Sequence, residues 1–110
     1  MASLPFTITC EQTRAMLESA TPPVLLDVRN QDEFDFARIA GSVLIPLHEL
    51  EERRVELSAF DGRQVVVLCH LGVRSMNGAG YLRSLGYDAA SLIGGIEAWS
   101  TDIDPEVPRY

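Results

Sequence analysis

The chain has 110 residues, of which 46% are hydrophobic and 23% charged, and this is the size and balance of one globular domain. A domain of this length buries roughly two-thirds of the surface of its unfolded chain, so it needs no disulfide or metal to form a core. The net charge of −7, without any basic run, argues against nucleic acid and anionic membranes as partners. We therefore expect a single domain over residues 1–110.

The two cysteines and two histidines bear on compartment and metal binding. No apolar stretch reaches the eighteen or so residues of a spanning helix, and the first ten residues do not resemble a signal peptide. We expect a cytoplasmic protein in which Cys10 and Cys69 are thiols rather than a disulfide. His48 and His70 show no metal-ligand spacing with them, so we expect no metal and no other cofactor.

The predicted elements alternate between helix and strand. Thr9 and Gln12 fit a capping box at the start of a first helix, and Thr-Pro-Pro at 21–23 ends that helix. Short apolar runs predict the strands, and cap signals or near-helical spacing predict the helices between them. Strands are predicted at 24–28, 42–46, 64–69 and within 87–95, and helices at 30–37, 47–60, 75–86 and from 96 onward, before a proline-punctuated tail at 104–110.

This alternation predicts an α/β fold with a mainly parallel central sheet and helices on both faces. The run at 64–69 shows no polar alternation, so we expect both of its faces to be buried. In such folds ligands bind beyond the carboxyl ends of the strands. Cys69 stands at such an end and is therefore the first candidate for a functional residue.

The residues after Cys69 are suited to holding a thiolate, which is the nucleophilic form of cysteine. Positive potential can come from the amides of a tight loop, from the N-terminus of the following helix and from Arg74. Gly72 allows the backbone to approach the sulfur closely. Ser75 is expected to cap the helix or to donate a hydrogen bond to the sulfur.

Each of these residues also has a plainer interpretation. A free cysteine at a strand end is often only a small buried apolar residue, but the loop that follows favours a nucleophile at Cys69. Arg74 could be an ordinary surface residue, although a cation at a helix N-terminus indicates an anion nearby. His70 is either a general base or a solvated loop residue. Cys10 is expected to be a partly exposed residue at the start of the first helix.

The motifs, taken in order, resemble those of a known family. Over about residues 5–110 the chain resembles the rhodanese-like sulfurtransferase domain in the segments LLDVRNQDEF, AGSVLIPLHELEER, VVVLCHLGVRS and LRSLGYDAASLIGGIEAW. The resemblance implies the three-layer α/β sandwich of that family. It implies that Cys69 is the catalytic residue and carries a sulfane sulfur as a persulfide. It also implies a substrate-binding cradle formed by His70, Leu71, Gly72, Val73, Arg74 and Ser75.

The same resemblance gives Asp27 and Arg29 a supporting role. They match the Asp-Val-Arg element of the family, which supports the active-site side of the sheet, and we favour a structural charge network over direct catalysis. Arg38 and Ala40 stand where the family often has histidine and proline, and both lie outside the cysteine loop.

The implied activity is that of a thiosulfate sulfurtransferase. Such an enzyme moves a sulfane sulfur from a donor such as thiosulfate to a thiophilic acceptor, which is cyanide in an assay or a protein thiol in a cell. The loop from Cys69 to Arg74 is one residue shorter than in the phosphatase branch of the family, and a smaller loop suits one sulfur atom better than a phosphate. Two alternatives stay open: a non-catalytic partner-binding module of this fold, and an arsenate reductase or phosphatase.

The candidate partners follow from the loop and from the end of the sequence. Leu71 and Val73 are apolar where polar residues would help to hold a small dianion, and an apolar rim also suits a protein. The ending AWSTDIDPEVPRY resembles that of rhodanese domains fused to enzymes that adenylate small sulfur-carrier proteins. We therefore expect a small sulfur donor or a protein persulfide, with a sulfur-carrier protein as a further candidate. We expect the chain to be a monomer.

Overall fold

The sheet has five parallel strands and lies at the centre of the fold. The computed structural model describes residues 2–110. The strands are β1 (Thr7–Ile8), β2 (Val24–Asp27), β3 (Val43–Leu44), β4 (Val65–Leu68) and β5 (Ala89–Leu92). Their order in the sheet is β1-β5-β4-β2-β3, which puts β4 in the middle. Cys69, which directly follows β4, therefore lies at the centre of the carboxyl edge of the sheet.

Helices cover both faces of this sheet, which confirms the predicted α/β sandwich. The α-helices are α1 (Cys10–Leu17), α2 (Gln31–Phe36), α3 (Arg74–Ser84) and α4 (Gly95–Asp102). On one face, Val65 and Val67 of β4 belong to a buried cluster with Leu82 of α3. On the other, Val66 and Leu68 belong to a second cluster with Trp99 of α4. All four residues of β4 are buried, as the absence of polar alternation predicted.

The start of α1 follows its capping signal. The amide of Gln12 donates to Thr9 Oγ1 at 3.1 Å, and the amide of Thr9 donates to Gln12 Oε1 at 3.0 Å, so the predicted capping box is confirmed. No helix within residues 2–110 combines the length and the hydropathy that would let it span a lipid bilayer.

The segment 47–60 differs from the expectation. In place of one helix it forms two 3₁₀ helices, at Leu47–Glu49 and Arg54–Phe60. Of the apolar residues whose spacing predicted the helix, Leu50 and Leu57 are buried, but Val55 is 78% exposed. The apolar stripe needed to hold a continuous α-helix on the sheet is therefore interrupted.

Gly95 brings the N-terminus of α4 against the cysteine loop. The amides of Ile96 and Glu97 donate to the carbonyl oxygens of Cys69 and His70 at 2.9 and 3.1 Å. Gly95 has a φ of +59°, and a Cβ placed on it would collide with those same two carbonyl groups. A glycine is therefore required for this close approach.

We predict that Gly95→Ala destabilises the fold by more than the cost of its backbone angle. Gly62 is a matched control, because its φ is +79° but a Cβ there would meet no atom within 4 Å. Gly62→Ala should cost about 1–2 kcal/mol, the ordinary cost of a left-handed alanine. Gly95→Ala should cost at least about 1 kcal/mol more because of the collision. Unfolding in urea measures both, and equal losses would contradict the packing described here.

Candidate functional site

Two backbone amides donate hydrogen bonds to the buried sulfur of Cys69. Cys69 is only 1% exposed. The amide of Gly72 donates to its Sγ at 3.1 Å and the amide of Ser75 at 3.3 Å. Gly72 has a φ of +107°, which turns the loop so that its amide faces inward. One amide of the loop and one of the first turn of α3 thus point at the sulfur, and amide donors arranged in this way stabilise an anion.

Ser75 contacts the sulfur but does not cap α3. Val73 is the residue that precedes the helix, and Ser75 lies within its first turn with its side chain buried. The Ser75 hydroxyl is 3.4 Å from Cys69 Sγ and 2.7 Å from the hydroxyl of Ser91 in β5. The predicted cap is therefore wrong, because the side chain points into the core. The hydroxyl does contact the sulfur, where it accepts from the neutral thiol; its donation to the thiolate stays a prediction.

Arg74 binds a carboxylate of α2 rather than facing the sulfur alone. Its two Nη atoms donate to the two carboxylate oxygens of Glu33 at 2.7 and 2.9 Å. This guanidinium, together with the amide of Asn30, lowers the pKa of Glu33 to about 2. The anion that the position of Arg74 indicated is thus a protein side chain. The positive potential that Arg74 was expected to supply at the thiolate is therefore reduced, because Glu33 pairs with the same guanidinium.

Tyr110 covers one side of the loop and joins several of these groups. Its hydroxyl donates to Glu33 Oε2 and accepts from Arg29 Nη1, each at 2.8 Å. Its ring stacks on the imidazole of His70, with centroids 4.0 Å apart and planes inclined by 8°. Burial raises the pKa of Tyr110, which keeps the phenol protonated and able to donate. His70 is therefore not a freely solvated loop residue, and its Nε2 is buried without a hydrogen-bond partner among residues 2–110.

Asp27 and Arg29 form a buried pair beneath this group. Both side chains are fully buried, and Arg29 Nη2 lies 2.7 Å from Asp27 Oδ2. Arg29 also donates to the carbonyl oxygens of Glu33 and Ala37, which belong to the last turn and the C-terminal cap of α2. Through Arg29 the pair contacts both α2 and Tyr110, and this position is consistent with a structural role beneath the cysteine loop.

Apolar side chains form the rim of the site. Leu71 is 60% exposed and Val73 66%, both within the loop itself. Phe36 is 58% exposed and meets the ring of Tyr110 edge to face, with centroids 5.9 Å apart. We call these four residues the apolar rim. The expected apolar character of the loop surface thus extends beyond the loop to α2 and the tail.

Cys10 is buried, which corrects the expectation of partial exposure. It is the first residue of α1, but α4 and β5 cover it, and its Sγ lies 3.9 Å from the carbonyl oxygen of Ile93. Burial, with Asp102 and Glu11 nearby, raises the pKa of its thiol to about 11. Cys10 is therefore a poor nucleophile at neutral pH.

A cavity at the opposite edge of the sheet offers no comparable chemistry. It has a volume of about 520 Å³ and lies between α1 and the segment before β1, near Gln64 at the amino end of β4. Its lining contains neither a titratable side chain nor a cysteine. This cavity is therefore not a second candidate for thiol or acid–base chemistry.

Sequence reasoning missed three residues of the site. Glu33 was visible only as an acid in the first turn of α2, where it suits the helix dipole. Ser91 stands between Ala90 and Leu92 in a buried strand, and a polar residue there was an available signal. Tyr110 lies in the proline-punctuated tail at 104–110, and no local sequence pattern indicated that it would contact the site.

The Glu33–Arg74 ion pair predicts a pH-dependent stability. Because the folded chain lowers the pKa of Glu33, the pair stabilises the fold above about pH 4.3, the ordinary glutamate value, and less as the pH falls toward about 2. Glu33→Gln should lower the thermal midpoint at neutral pH and have a smaller effect at about pH 3. Glu52→Gln, on the exposed surface, is the control. A Glu33→Gln effect that did not depend on pH would contradict this assignment.

Three comparisons relate this chain to known proteins. A family model described as a rhodanese-like domain matches residues 9–102. The adenylyltransferase and sulfurtransferase MOCS3-1 of Zea mays is 38% identical over 109 residues, which cover 94% of this chain and 23% of the maize protein. The probable adenylyltransferase/sulfurtransferase MoeZ of Mycobacterium tuberculosis is 33% identical, over 94% of this chain and 27% of that protein. The chain spans about a quarter of the length of these relatives.

Two solved structures of similar size agree in fold with this chain over nearly their whole length. A rhodanese-related protein of Thermoplasma volcanium has a TM-score of 0.79 and 29% identity, covering 94% of this chain and 96% of that one. The human single-domain sulfurtransferase TSTD1 has a TM-score of 0.77 and 25% identity, covering 90% and 98%. With the parallel sheet and the cysteine loop described above, these matches show that the chain belongs to the rhodanese-like domain family.

Proposed function

We propose that this domain is a sulfurtransferase that moves a sulfane sulfur from a donor to a thiophilic acceptor through a persulfide on Cys69. The observation that carries the proposal is the pair of amide donors, from Gly72 and Ser75, directed at a buried cysteine sulfur. Such a site favours a negative charge on sulfur. The sulfurtransferase relatives and structural neighbours support the same class of chemistry.

The reaction consists of two displacements at sulfur. In the first, the Cys69 thiolate attacks the outer sulfur of the donor, an S–S bond forms, and the rest of the donor leaves with the electron pair of the broken bond; for thiosulfate that leaving group is sulfite. In the second, the acceptor attacks the outer sulfur of the persulfide, and Cys69 leaves as a thiolate. No electrons are gained or lost from outside, so neither step calls for a cofactor.

The outer sulfur of the persulfide carries the negative charge between the two steps. The loop amides and the N-terminus of α3 supply partial positive charge at this position. A full positive charge contributes less, because Arg74 is bound by Glu33. This balance suits a small sulfur anion better than a phosphate or arsenate dianion, which needs more positive charge. It supports sulfur transfer over the phosphatase and arsenate reductase alternatives.

We propose thiosulfate as a donor and cyanide as an acceptor for assay, and protein thiols or persulfides for the physiological reaction in the cytoplasm. The apolar rim supports a protein partner, since apolar exposed patches commonly mark protein contacts. The relatives that are named as both adenylyltransferase and sulfurtransferase support a sulfur-carrier protein as that partner. The domain is proposed to act as a monomer.

Replacement of Cys69 tests the central assignment. Cys69→Ser should reduce transfer from thiosulfate to cyanide to background and should abolish the mass increase of one sulfur atom after incubation with donor. Cys10→Ala is the matched control and should retain activity, because Cys10 is buried away from the loop. Mass spectrometry of the intact protein distinguishes persulfide formation from donor binding. Substantial turnover by Cys69→Ser would refute the proposal, and sulfur loading of neither protein would favour the non-catalytic binding module.

Variants at Arg74 and Leu71 test whether each residue supports the shape of the loop or binds the sulfur donor. Lysine at 74 cannot form the two-pronged contact with Glu33, so Arg74→Lys should lower kcat about tenfold or more and change KM less. Leu71→Arg adds a cation to the apolar rim and should lower KM for thiosulfate about two- to fivefold, the size of one exposed charge interaction.

Val55→Arg controls for the change in net charge, because Val55 is exposed on the 3₁₀ helix away from the cysteine loop. Its KM should be unchanged. A raised or constant KM in folded Leu71→Arg would mean that this part of the rim does not face the donor, and a rise in KM alone for Arg74→Lys would assign Arg74 to donor binding.

A further inference from the structure

The hydroxyl of Ser91 lies one hydrogen bond away from the group that contacts the reactive sulfur. Ser91 Oγ is 2.7 Å from Ser75 Oγ, which is 3.4 Å from Cys69 Sγ. We propose that Ser91 is a positioning residue for the chemistry of Cys69: it donates to Ser75 and so directs the Ser75 hydroxyl at the sulfur whenever that sulfur is an anion. The role in catalysis rests on the proposed sulfurtransferase function.

The direction of these hydrogen bonds follows from the number of protons. A serine hydroxyl has one proton to donate, whereas a thiolate can only accept. When Cys69 is a thiol, its proton can be donated to Ser75, and Ser75 can donate to Ser91. When Cys69 is a thiolate, Ser75 must donate to the sulfur and has no proton left, so Ser91 must donate to Ser75. The anionic state therefore fixes a single direction along the pair, from Ser91 to Ser75 to Cys69.

Burial makes this arrangement effective. Ser75 is fully buried and both Cys69 and Ser91 are 1% exposed, so water does not compete for these groups. The backbone of Ser91 is held on both sides, since it pairs with Val67 of β4 and Thr7 of β1. Its hydroxyl is thus presented from a fixed position, which reduces the reorganisation needed when the sulfur acquires charge.

The hydrogen-bond partner of Ser91 connects this serine with the reacting sulfur. The neighbouring residues of β5, Ala89 and Ala90, are fully buried without a polar group. Burying a hydroxyl costs free energy unless it is hydrogen-bonded, and the partner of Ser91 is the serine that contacts the sulfur. The polar pair is therefore placed where a charge appears and disappears.

The charge on Sγ changes during the reaction in a way that the pair can follow. When the thiolate attacks the donor, Sγ becomes a neutral, divalent sulfur and the charge moves to the outer sulfur. When the acceptor attacks that outer sulfur, the S–S bond breaks and its electron pair returns to Sγ. The Ser91–Ser75 pair stabilises this departing thiolate. Loss of the pair should therefore slow transfer to the acceptor more than loading from the donor.

The test measures how readily Cys69 ionises, without any sulfur donor. The rate of alkylation of Cys69 is followed against pH with iodoacetamide, in a Cys10→Ala background that leaves one thiol. Ser75→Ala should move the midpoint of this profile upward by about one pH unit, the value of a hydrogen bond to a charged group. Ser91→Ala should move it in the same direction by about 0.3–0.5 unit, because it only polarises and orients that bond.

Ser100→Ala is the matched control. Ser100 is also a buried serine, but its hydroxyl donates to the carbonyl oxygen of Val107 at 2.6 Å. The midpoint for Ser100→Ala should equal that of the parent. An unshifted profile for folded Ser91→Ala, or an equal shift for Ser100→Ala, would overturn the proposal.

Two further comparisons test whether the effect of Ser91 comes from its hydroxyl rather than its shape, and whether Ser91 acts through Ser75. Threonine and valine have nearly the same shape and differ in the hydroxyl group. The alkylation midpoint of Ser91→Thr should therefore be lower than that of Ser91→Val. Coincident profiles would overturn the proposal, even if Ser91→Ala does not fold. In a Ser75→Ala background, Ser91→Ala should add no further shift. An undiminished additional shift would show that Ser91 does not act through Ser75, which also overturns the proposal.

The outcomes distinguish this inference from the proposed function. Alkylation requires neither donor nor acceptor, so a shifted profile in a protein without sulfur transfer would support Ser91 and refute only the sulfurtransferase assignment. Normal sulfur transfer with coincident alkylation profiles would refute only the role of Ser91. Where transfer is present, rapid-mixing measurements of the two half reactions should show the acceptor step of Ser91→Ala slowed about two- to threefold.

Discussion

The whole site depends on one constraint: the sulfur of Cys69 is buried away from water, yet it must carry a negative charge. At 1% exposure, Cys69 has to find its hydrogen-bond donors in the protein. The backbone amides of Gly72 and Ser75 fill that need, and the Ser75 hydroxyl accepts from the sulfur while it is a neutral thiol. The positive φ of Gly72 turns the loop, the first turn of α3 brings Ser75, and the close approach of α4 at Gly95 fixes the loop carbonyls on the other side. The central position of β4 makes this convergence possible.

Around the sulfur, charged side chains alternate in sign from the core to the surface. Asp27 binds Arg29, Tyr110 joins Arg29 to Glu33, and Glu33 binds Arg74 at the start of α3. This series ties β2, α2, α3 and the tail together beside the loop. Because every formal charge in it has an opposite partner, its main effect is to hold the loop in shape, and the dipoles of the backbone are left to act on the sulfur.

The sequence predicted the parts of this arrangement that depend on local pattern. The buried run of β4, the cysteine at its end and the glycine turn after it are all contained within a dozen neighbouring residues, and periodicity and turn chemistry identify them. Tyr110 and Glu33, by contrast, are 77 residues apart, and no local signal indicates their contact. Cys10 was misjudged for the same reason, since α4, which covers it, comes from the far end of the chain. The prediction of one helix over 47–60 was wrong because the apolar spacing behind it included Val55, whose side chain is exposed to solvent in the fold.

The burial of Cys10 has a consequence for damage by oxidants. The two cysteines of the chain belong to different buried clusters, on opposite faces of the sheet, so Cys10 cannot reach Cys69 to form a disulfide. Many thiols that meet peroxide are rescued by a second cysteine, which condenses with the sulfenic acid before it is oxidised further. Cys69 has no such neighbour within the chain. If peroxide converts it to a sulfenic acid, recovery depends on an external thiol that can enter past the apolar rim.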